Sequence, residues 1–243
     1  MANATHTGSL PALLLFPGLL CDARLWRDQV EALSDTIRCV VADCTRDDTL
    51  EAMARRALDG MEGPFALAGL SMGGYVALAM MRSAPGRVSR LCLMATSARA
   101  DTPEQARRRR GVMALVARSS RFQGVAPRLL PMLLHPDRLS DTALATEISA
   151  MADRVGQAAF LRQQAAIVAR PDSRADLPGI AVPTLLVVGD GDQLTPPDLT
   201  REMAGLIPGA ALHVIPQSGH LPPMEQPAAV TALLQAWLHG TPP

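Results

Sequence analysis

The chain has 243 residues, of which 48% are hydrophobic, and 23 basic side chains balance 23 acidic ones. That length suffices for a sizeable buried core, and the charge balance gives no reason to expect a nucleic-acid or membrane-surface partner. The four cysteines, Cys21, Cys39, Cys44 and Cys92, lack C-x-x-C spacing, so they read as reduced thiols packed in the core of a cytoplasmic protein.

Residues Met1–Ser9 are small and polar and read as a frayed tail. The apolar run Leu10–Phe16 has no basic flank and contains Pro11, so neither a secretory signal nor a membrane span is expected. Ala12–Phe16, closed by Pro17-Gly18, has the continuous apolar pattern of a strand covered on both faces. Asp22 stands where it would cap a helix over Ala23–Leu33. Ile37–Ala42 predicts a second strand, Thr49–Leu58 a helix, Phe65–Leu70 a third strand, Met72–Ser83 a helix and Val88–Met94 a fourth strand.

The alternation then stops. Arg99–Arg170 is rich in Ala, Arg, Leu, Met and Gln without a strand-like run, and Pro127, Pro131 and Pro136 are expected to break it into several helices. After Pro171 the pattern resumes with strands at Thr184–Val188 and Ala211–Ile215 and helices at Pro197–Leu206 and Gln226–Leu238. Such alternation implies right-handed crossovers and an α/β fold, a mostly parallel sheet of about six strands with helices on both faces. The expected organisation is a core of residues 1–98 and 171–243, with a helical cap, 99–170, inserted after the fourth strand. No internal repeat interrupts it.

The third predicted strand runs into Gly69-Leu70-Ser71-Met72-Gly73 and then directly into an Ala- and Leu-rich helix. Chance supplies on the order of 0.1 Gly-x-Ser-x-Gly per chain of this size, so the five residues alone are weak evidence. Their place between strand and helix is what makes them informative. A serine held on a sharp bend needs neighbours without Cβ atoms, and the following helix aims free N–H groups at the reacting centre.

A serine hydroxyl needs a base, and the base needs a carboxylate to fix its tautomer. Of the five histidines, His6 lies in the tail, His135 in the helical insertion and His239 at the end of the last helix. His213 sits mid-strand and reads as a packed or edge residue. His220, in Gln217-Ser-Gly-His220-Leu-Pro-Pro, falls just past the C-terminal end of the sixth strand, the edge at which open parallel sheets carry their sites. Asp190 and Asp192 follow the fifth strand on the same edge, and both are candidates for the acid. Asp43 also ends a strand but precedes the serine, and reads as loop structure.

With the order Ser…Asp…His, the chain resembles the α/β-hydrolases with a helical cap over essentially its whole length. The resemblance implies that the acid is the last Asp of Gly-x-x-Asp, here Gly189 to Asp192, and that the base is His220 of Gly219-His220. It also implies an oxyanion hole built from the backbone N–H groups of Met72 and Leu19. Where the family usually has His-Gly after the first strand, this chain has Pro17-Gly18, which keeps the turn glycine. Family members commonly begin with a strand hairpin, absent here, so the Ile37–Ala42 strand is expected at an open edge. A bare edge invites pairing, and either a covering N-terminal segment or a homodimer through it is expected.

The stretch Gly-Leu-Ser-Met-Gly-Gly is similar to that of enol-lactonases and broad carboxylesterases. What it implies is a serine esterase that cleaves a small or medium carboxylic ester, lactone or thioester through an acyl-enzyme on Ser71, with no cofactor and a small-molecule ester-like substrate. The same scaffold also carries C–C bond hydrolases, cofactor-free haloperoxidases with perhydrolase activity, acyltransferases and non-catalytic ligand receptors, between which fold does not choose. Leu20, Met132, Leu133 and Phe160 are the candidate substrate-binding residues, with Met72 as a further pocket wall. Arg107–Arg110 reads as a solvated helix face and Trp26 as core or interface. No residues have zinc-ligand spacing, and the glycines fit neither G-x-G-x-x-G nor the P-loop.

Overall fold

Continuous apolar runs become the centre of the sheet. In the computed structural model, which describes residues 11–122, 124–125 and 129–240, all residues of β1 (Ala12–Phe16), β3 (Phe65–Leu70) and β5 (Thr184–Gly189) are buried. The tail Met1–Ser9 with His6, and Pro127, lie outside the described residues. With β2 (Arg38–Val41), β4 (Val88–Met94) and β6 (Ala211–Ile215) these strands form a six-stranded sheet ordered β2-β1-β3-β4-β5-β6. Every pairing is parallel. The strands read as unbroken apolar runs because helices cover both faces.

The period-two alternation within β1 shows the two layers. Leu14 and Phe16 face α2 (Leu50–Asp59), α3 (Met72–Ser83) and α7 (Pro197–Leu206), through Met53, Val76 and Met203. Leu13 and Leu15 face the opposite layer, which contains Trp26, Leu33 of α1 (Arg27–Leu33), and Leu234 and Trp237 of α9 (Pro227–His239). Trp26, fully buried, is therefore core.

Three local differences from the sequence reading have simple causes. The segment after Asp22 begins as a 3-10 turn, Ala23–Trp26, before α1, and the Asp22 carboxylate accepts from the Arg24 N–H at 2.9 Å. Pro131 does not break a helix: it lies in the first turn of α5 (Leu130–Leu133), where a missing N–H costs nothing. The last helix starts at Pro227 and is preceded by the single turn α8 (Pro222–Glu225).

Between β4 and β5 the described residues form no strand. They build α4 (Pro103–Arg118), α5 and α6 (Thr142–Ala169). Helix α6 bends at Gly156, whose φ of 76° and ψ of 173° interrupt the helical run; glycine takes that conformation without strain. On α4, Arg107, Arg108 and Arg110 are exposed, whereas Arg109 turns to Asp101 and Gln164.

Among the described residues β2 pairs with β1 alone, so it forms one margin of the sheet, as the resemblance implied. The four cysteines are free. Burial pushes the thiols up, to about 12 for Cys21 and about 11 for Cys39. No described helix is long and apolar enough to cross a membrane, and no described group of His, Cys, Asp and Glu is arranged to hold a metal ion.

Candidate active site

Ser71 sits where β3 turns into α3 with φ 55° and ψ −114°, a conformation that costs on the order of 1–3 kcal/mol. Its backbone is held on both sides. The Ser71 N–H donates to the Met94 carbonyl at 2.9 Å, and its own carbonyl accepts from the Thr96 hydroxyl at 2.7 Å and the Gly74 N–H at 2.9 Å. The flanking glycines are required by close approach. A Cβ on Gly69 would lie 2.2 Å from the Gly73 carbonyl oxygen, and one on Gly73 would lie 2.2 Å from that of Phe16. The start of α3 is thereby packed onto the ends of both β3 and β1.

His220 and Asp192 arrive from the loops after β6 and β5. The His220 Nε2 is 2.9 Å from Ser71 Oγ, and its Nδ1 is 3.0 and 2.9 Å from the two oxygens of Asp192. A carboxylate at Nδ1 places the ring proton there and leaves Nε2 as the acceptor for the serine proton. Asp192 is buried, and its Oδ1 also accepts from the N–H groups of Leu194 and Thr195, both at 2.9 Å. Burial pushes its carboxyl upward, but the His220 charge and hydrogen bond, with the Thr195 donors, outweigh it and hold the group below its ordinary value. Asp190, the other candidate, makes no hydrogen bond to His220 and instead accepts from the Ser218 N–H at 3.3 Å. Asp43 accepts locally from Thr45 and Arg46, as loop structure.

Two supporting residues escaped the sequence reading. The Thr195 hydroxyl donates to Asp192 Oδ2 at 2.7 Å and lies 3.3 Å from His220 Nδ1. The Asp-x-x-Thr spacing was its available signal, since a side chain three residues on can fold back onto a turn carboxylate. Glu225, only 1% exposed, is less legible. Its Oε1 accepts from the Gly219 and Leu221 N–H groups at 2.9 and 3.1 Å, and its Oε2 from the His135 N–H at 2.8 Å. The residues on either side of His220 are thus pinned to one carboxylate, and the His220 N–H itself donates to the Leu133 carbonyl at 2.8 Å. Burial raises the Glu225 carboxyl above its ordinary value, against the pull of the three N–H donors.

Beside Ser71, the N–H groups of Met72 and Leu19 donate to no acceptor among the described residues. The Met72 N–H belongs to the first turn of α3, where the helix end favours negative charge. Leu20 is buried against Ala152 and Phe160 of α6, and Phe122 packs on Phe160 with ring centroids 5.7 Å apart. Of the candidate substrate-binding residues, Leu20 and Phe160 therefore meet. Met132 is exposed, and Leu133 is half-buried against the core layer that contains Trp26. His135 lies 3.8 Å from Asp190, and His213 lies on the marginal strand β6.

Comparison with known proteins agrees with this fold. The model of the Alpha/beta hydrolase family matches residues 13–233. A pimeloyl-[acyl-carrier protein] methyl ester esterase from Neisseria meningitidis is 32% identical over 197 residues, 79% of this chain and 76% of the relative. Among solved structures, a thermophilic esterase from Thermogutta terrifontis superposes with a TM-score of 0.87 at 34% identity, covering 96% of this chain and 91% of its own. An enol-lactonase from Burkholderia xenovorans superposes with a TM-score of 0.79 at 25% identity, over 96% and 93% of the two chains.

Proposed function

The chain belongs to the alpha/beta hydrolase family, and from that premise we propose that it cleaves small or medium carboxylic esters, lactones included, through an acyl-enzyme on Ser71. It is a carboxylic-ester hydrolase, as its esterase relatives are. The observation that carries the mechanism is the continuous relay from Ser71 Oγ to His220 Nε2 and from His220 Nδ1 to Asp192, each step 2.9 Å at its shortest.

In this reading Ser71 Oγ attacks the acyl carbon while His220 Nε2 takes its proton. The carbonyl oxygen gains the electron pair and is met by the N–H groups of Met72 and Leu19, an interaction worth roughly 3 kcal/mol per donor in comparable sites. Asp192 steadies the imidazolium. Collapse returns the proton to the leaving alcohol, and a water activated by His220 then releases the acid. None of these steps calls on a cofactor. The neisserial relative is named for a methyl ester, which supports a small leaving alcohol. The free thiols, three of them buried, support a cytoplasmic setting, and the margin at β2, which pairs with β1 alone among the described residues, supports pairing of two copies, which light scattering tests.

Turnover of p-nitrophenyl acetate and butyrate tests the assignment. Ser71→Ala is expected to lower kcat by at least about 10⁴-fold. Retained turnover in that variant would remove Ser71 as the nucleophile; tight ligand binding without turnover by the wild type would make the protein a receptor. Methyl, ethyl and butyl esters of one acid then rank the leaving groups.

A further inference from the structure

Leu19, the proposed second donor to the oxyanion, lies in a loop with no secondary structure of its own. The loop closes as a four-residue turn, with the Cys21 N–H donating to the Gly18 carbonyl at 3.1 Å. Its third residue, Leu20, has φ 60°. A side chain with a Cβ loses roughly 1–2 kcal/mol there, so other contacts must hold the turn.

The polar contact comes from far along the chain. The Leu20 N–H donates to Gln163 Oε1 at 3.0 Å, and Gln163 Nε2 donates to the Cys44 carbonyl at 3.1 Å. Gln163 stands on α6 and is fully buried. Both ends of its amide are used, so a flipped amide would set like groups against each other. Ordering a glutamine costs about 1.5–2 kcal/mol of rotamer entropy, and burying its amide costs more unless both ends are bonded. Space filling alone would be better served by methionine or leucine. What this glutamine does is specify one orientation of a backbone peptide beside the nucleophile.

We propose that Gln163 is a positioning residue for the oxyanion hole: by accepting the Leu20 N–H it locks the Leu19–Leu20 peptide and keeps the Leu19 N–H free to meet the developing oxyanion. The inference rests on the ester-hydrolase reading above. Without Gln163 Oε1, the Leu20 N–H has no acceptor beside the apolar side chains of Ala152 and Phe160, the left-handed residue relaxes, and Leu19 loses its aim. The Ser71–His220–Asp192 relay makes no hydrogen bond to Gln163, so its proton transfers are left intact. The helical insertion therefore positions, through one buried amide, a backbone donor of the oxyanion hole.

The test compares wild type, Gln163→Met, Gln163→Glu and Ser71→Ala on p-nitrophenyl butyrate and against a trifluoromethyl ketone. Ser71 Oγ adds to the ketone carbon, its proton passes to His220 Nε2, and the former carbonyl oxygen becomes the oxyanion. Methionine fills the space without an acceptor. It is expected to lower kcat about 10- to 100-fold, less than or equal to the loss of a whole oxyanion donor. KM should stay within about 3-fold, the pH profile should keep its midpoint, and ketone affinity should fall by the same factor as kcat/KM. Gln163→Glu keeps an acceptor for Leu20 and, held neutral by burial, a hydroxyl donor for the Cys44 carbonyl, and should recover most of kcat. A methionine variant with kcat within about 3-fold of wild type, a displaced pH profile, or a glutamate variant no better than methionine would overturn the proposal. If the methionine variant does not fold, the wild-type amide protons carry the test. That of Leu20 should exchange slowly and that of Leu19 should shift downfield on ketone binding; free exchange or an unmoved Leu19 resonance overturns it. Ser71→Ala separates the two readings. If it retains turnover the hydrolase mechanism fails, whereas if it alone abolishes turnover only the role of Gln163 fails.

Discussion

Helices α3 and α4 are each a few turns long, but α3 buries nine of its 12 residues and α4 buries none of its 16. The first is held by the core, wedged between β1 and β3 by the absence of side chains at Gly69 and Gly73. The second is held by polar devices. Thr102 and Gln105 form a capping box, Pro103 opens the first turn, and Arg109 reaches Asp101 and Gln164. Val112 and Leu115 remain exposed. The contrast teaches that Ser71 is fixed by close packing, which tolerates no added atom, while the outer insertion is fixed by clamps that tolerate change. The two regions meet where backbone and carboxylate bonds from Leu133 and His135 brace the His220 loop, and where Gln163 braces Leu20.

That contrast is open to test from its strong end to its weak one. The largest effect is expected from Asp192→Asn, which lowers kcat by about 10⁴-fold through loss of the correct imidazole tautomer. The same variant has a pH signature. Because the folded Asp192 carboxyl lies below its ordinary value of 3.8, its stabilising contribution is present above that value and is lost as pH falls through the folded one. The difference in Tm between wild type and Asp192→Asn should therefore narrow between pH 6 and pH 3; a constant difference would refute the linkage.

Next comes Gly73→Ala. The new Cβ meets the Phe16 carbonyl oxygen, and backbone displacement should cost about 3 kcal/mol or more in urea unfolding, with kcat falling alongside. An alanine variant with wild-type stability would show that the elbow is not closely packed.

Glu225→Gln should cost about 1–3 kcal/mol, because its amide would turn an NH₂ toward at least one of the three backbone donors. Its pH dependence runs opposite to that of Asp192. The folded Glu225 carboxyl is raised by burial, so its contribution favours the fold at acid pH and is lost as pH rises through the folded value. The Tm difference between wild type and Glu225→Gln should be larger at pH 4 than at pH 7, measured by thermal unfolding.

The smallest effect belongs to α4. Leu115 is 74% exposed, so Leu115→Gln should change stability by less than about 0.5 kcal/mol and leave kcat within about twofold. A severe loss there would show that α4 is anchored by more than its ends.

Legibility in the sequence followed the range of the interactions. The elbow was readable because Gly69, Ser71 and Gly73 meet one another within one turn of chain, and the strands because continuous apolar runs announce a sheet covered on both sides. The choice of Asp192 over Asp190 was not readable from residues alone: both follow β5, and the resemblance favoured the one that the structure brings to His220. The insertion was legible only as helix. The bend at Gly156, the harmless Pro131 and the roles of Gln163 and Glu225 depend on what packs against them.

The amino-acid order by itself determined the parallel sheet, the strained serine and the histidine loop, because each is specified by neighbours along the chain through φ/ψ preference, apolar periodicity and turn chemistry. Tertiary structure alone decided which carboxylate reaches the imidazole and which buried amide braces the loop after β1. Leu20 and Gln163 are 143 positions apart, and no local pattern encodes a hydrogen bond whose acceptor arrives on a separate helix. Such a bond exists only once apolar burial has brought the two segments together and excluded the water that would otherwise satisfy both.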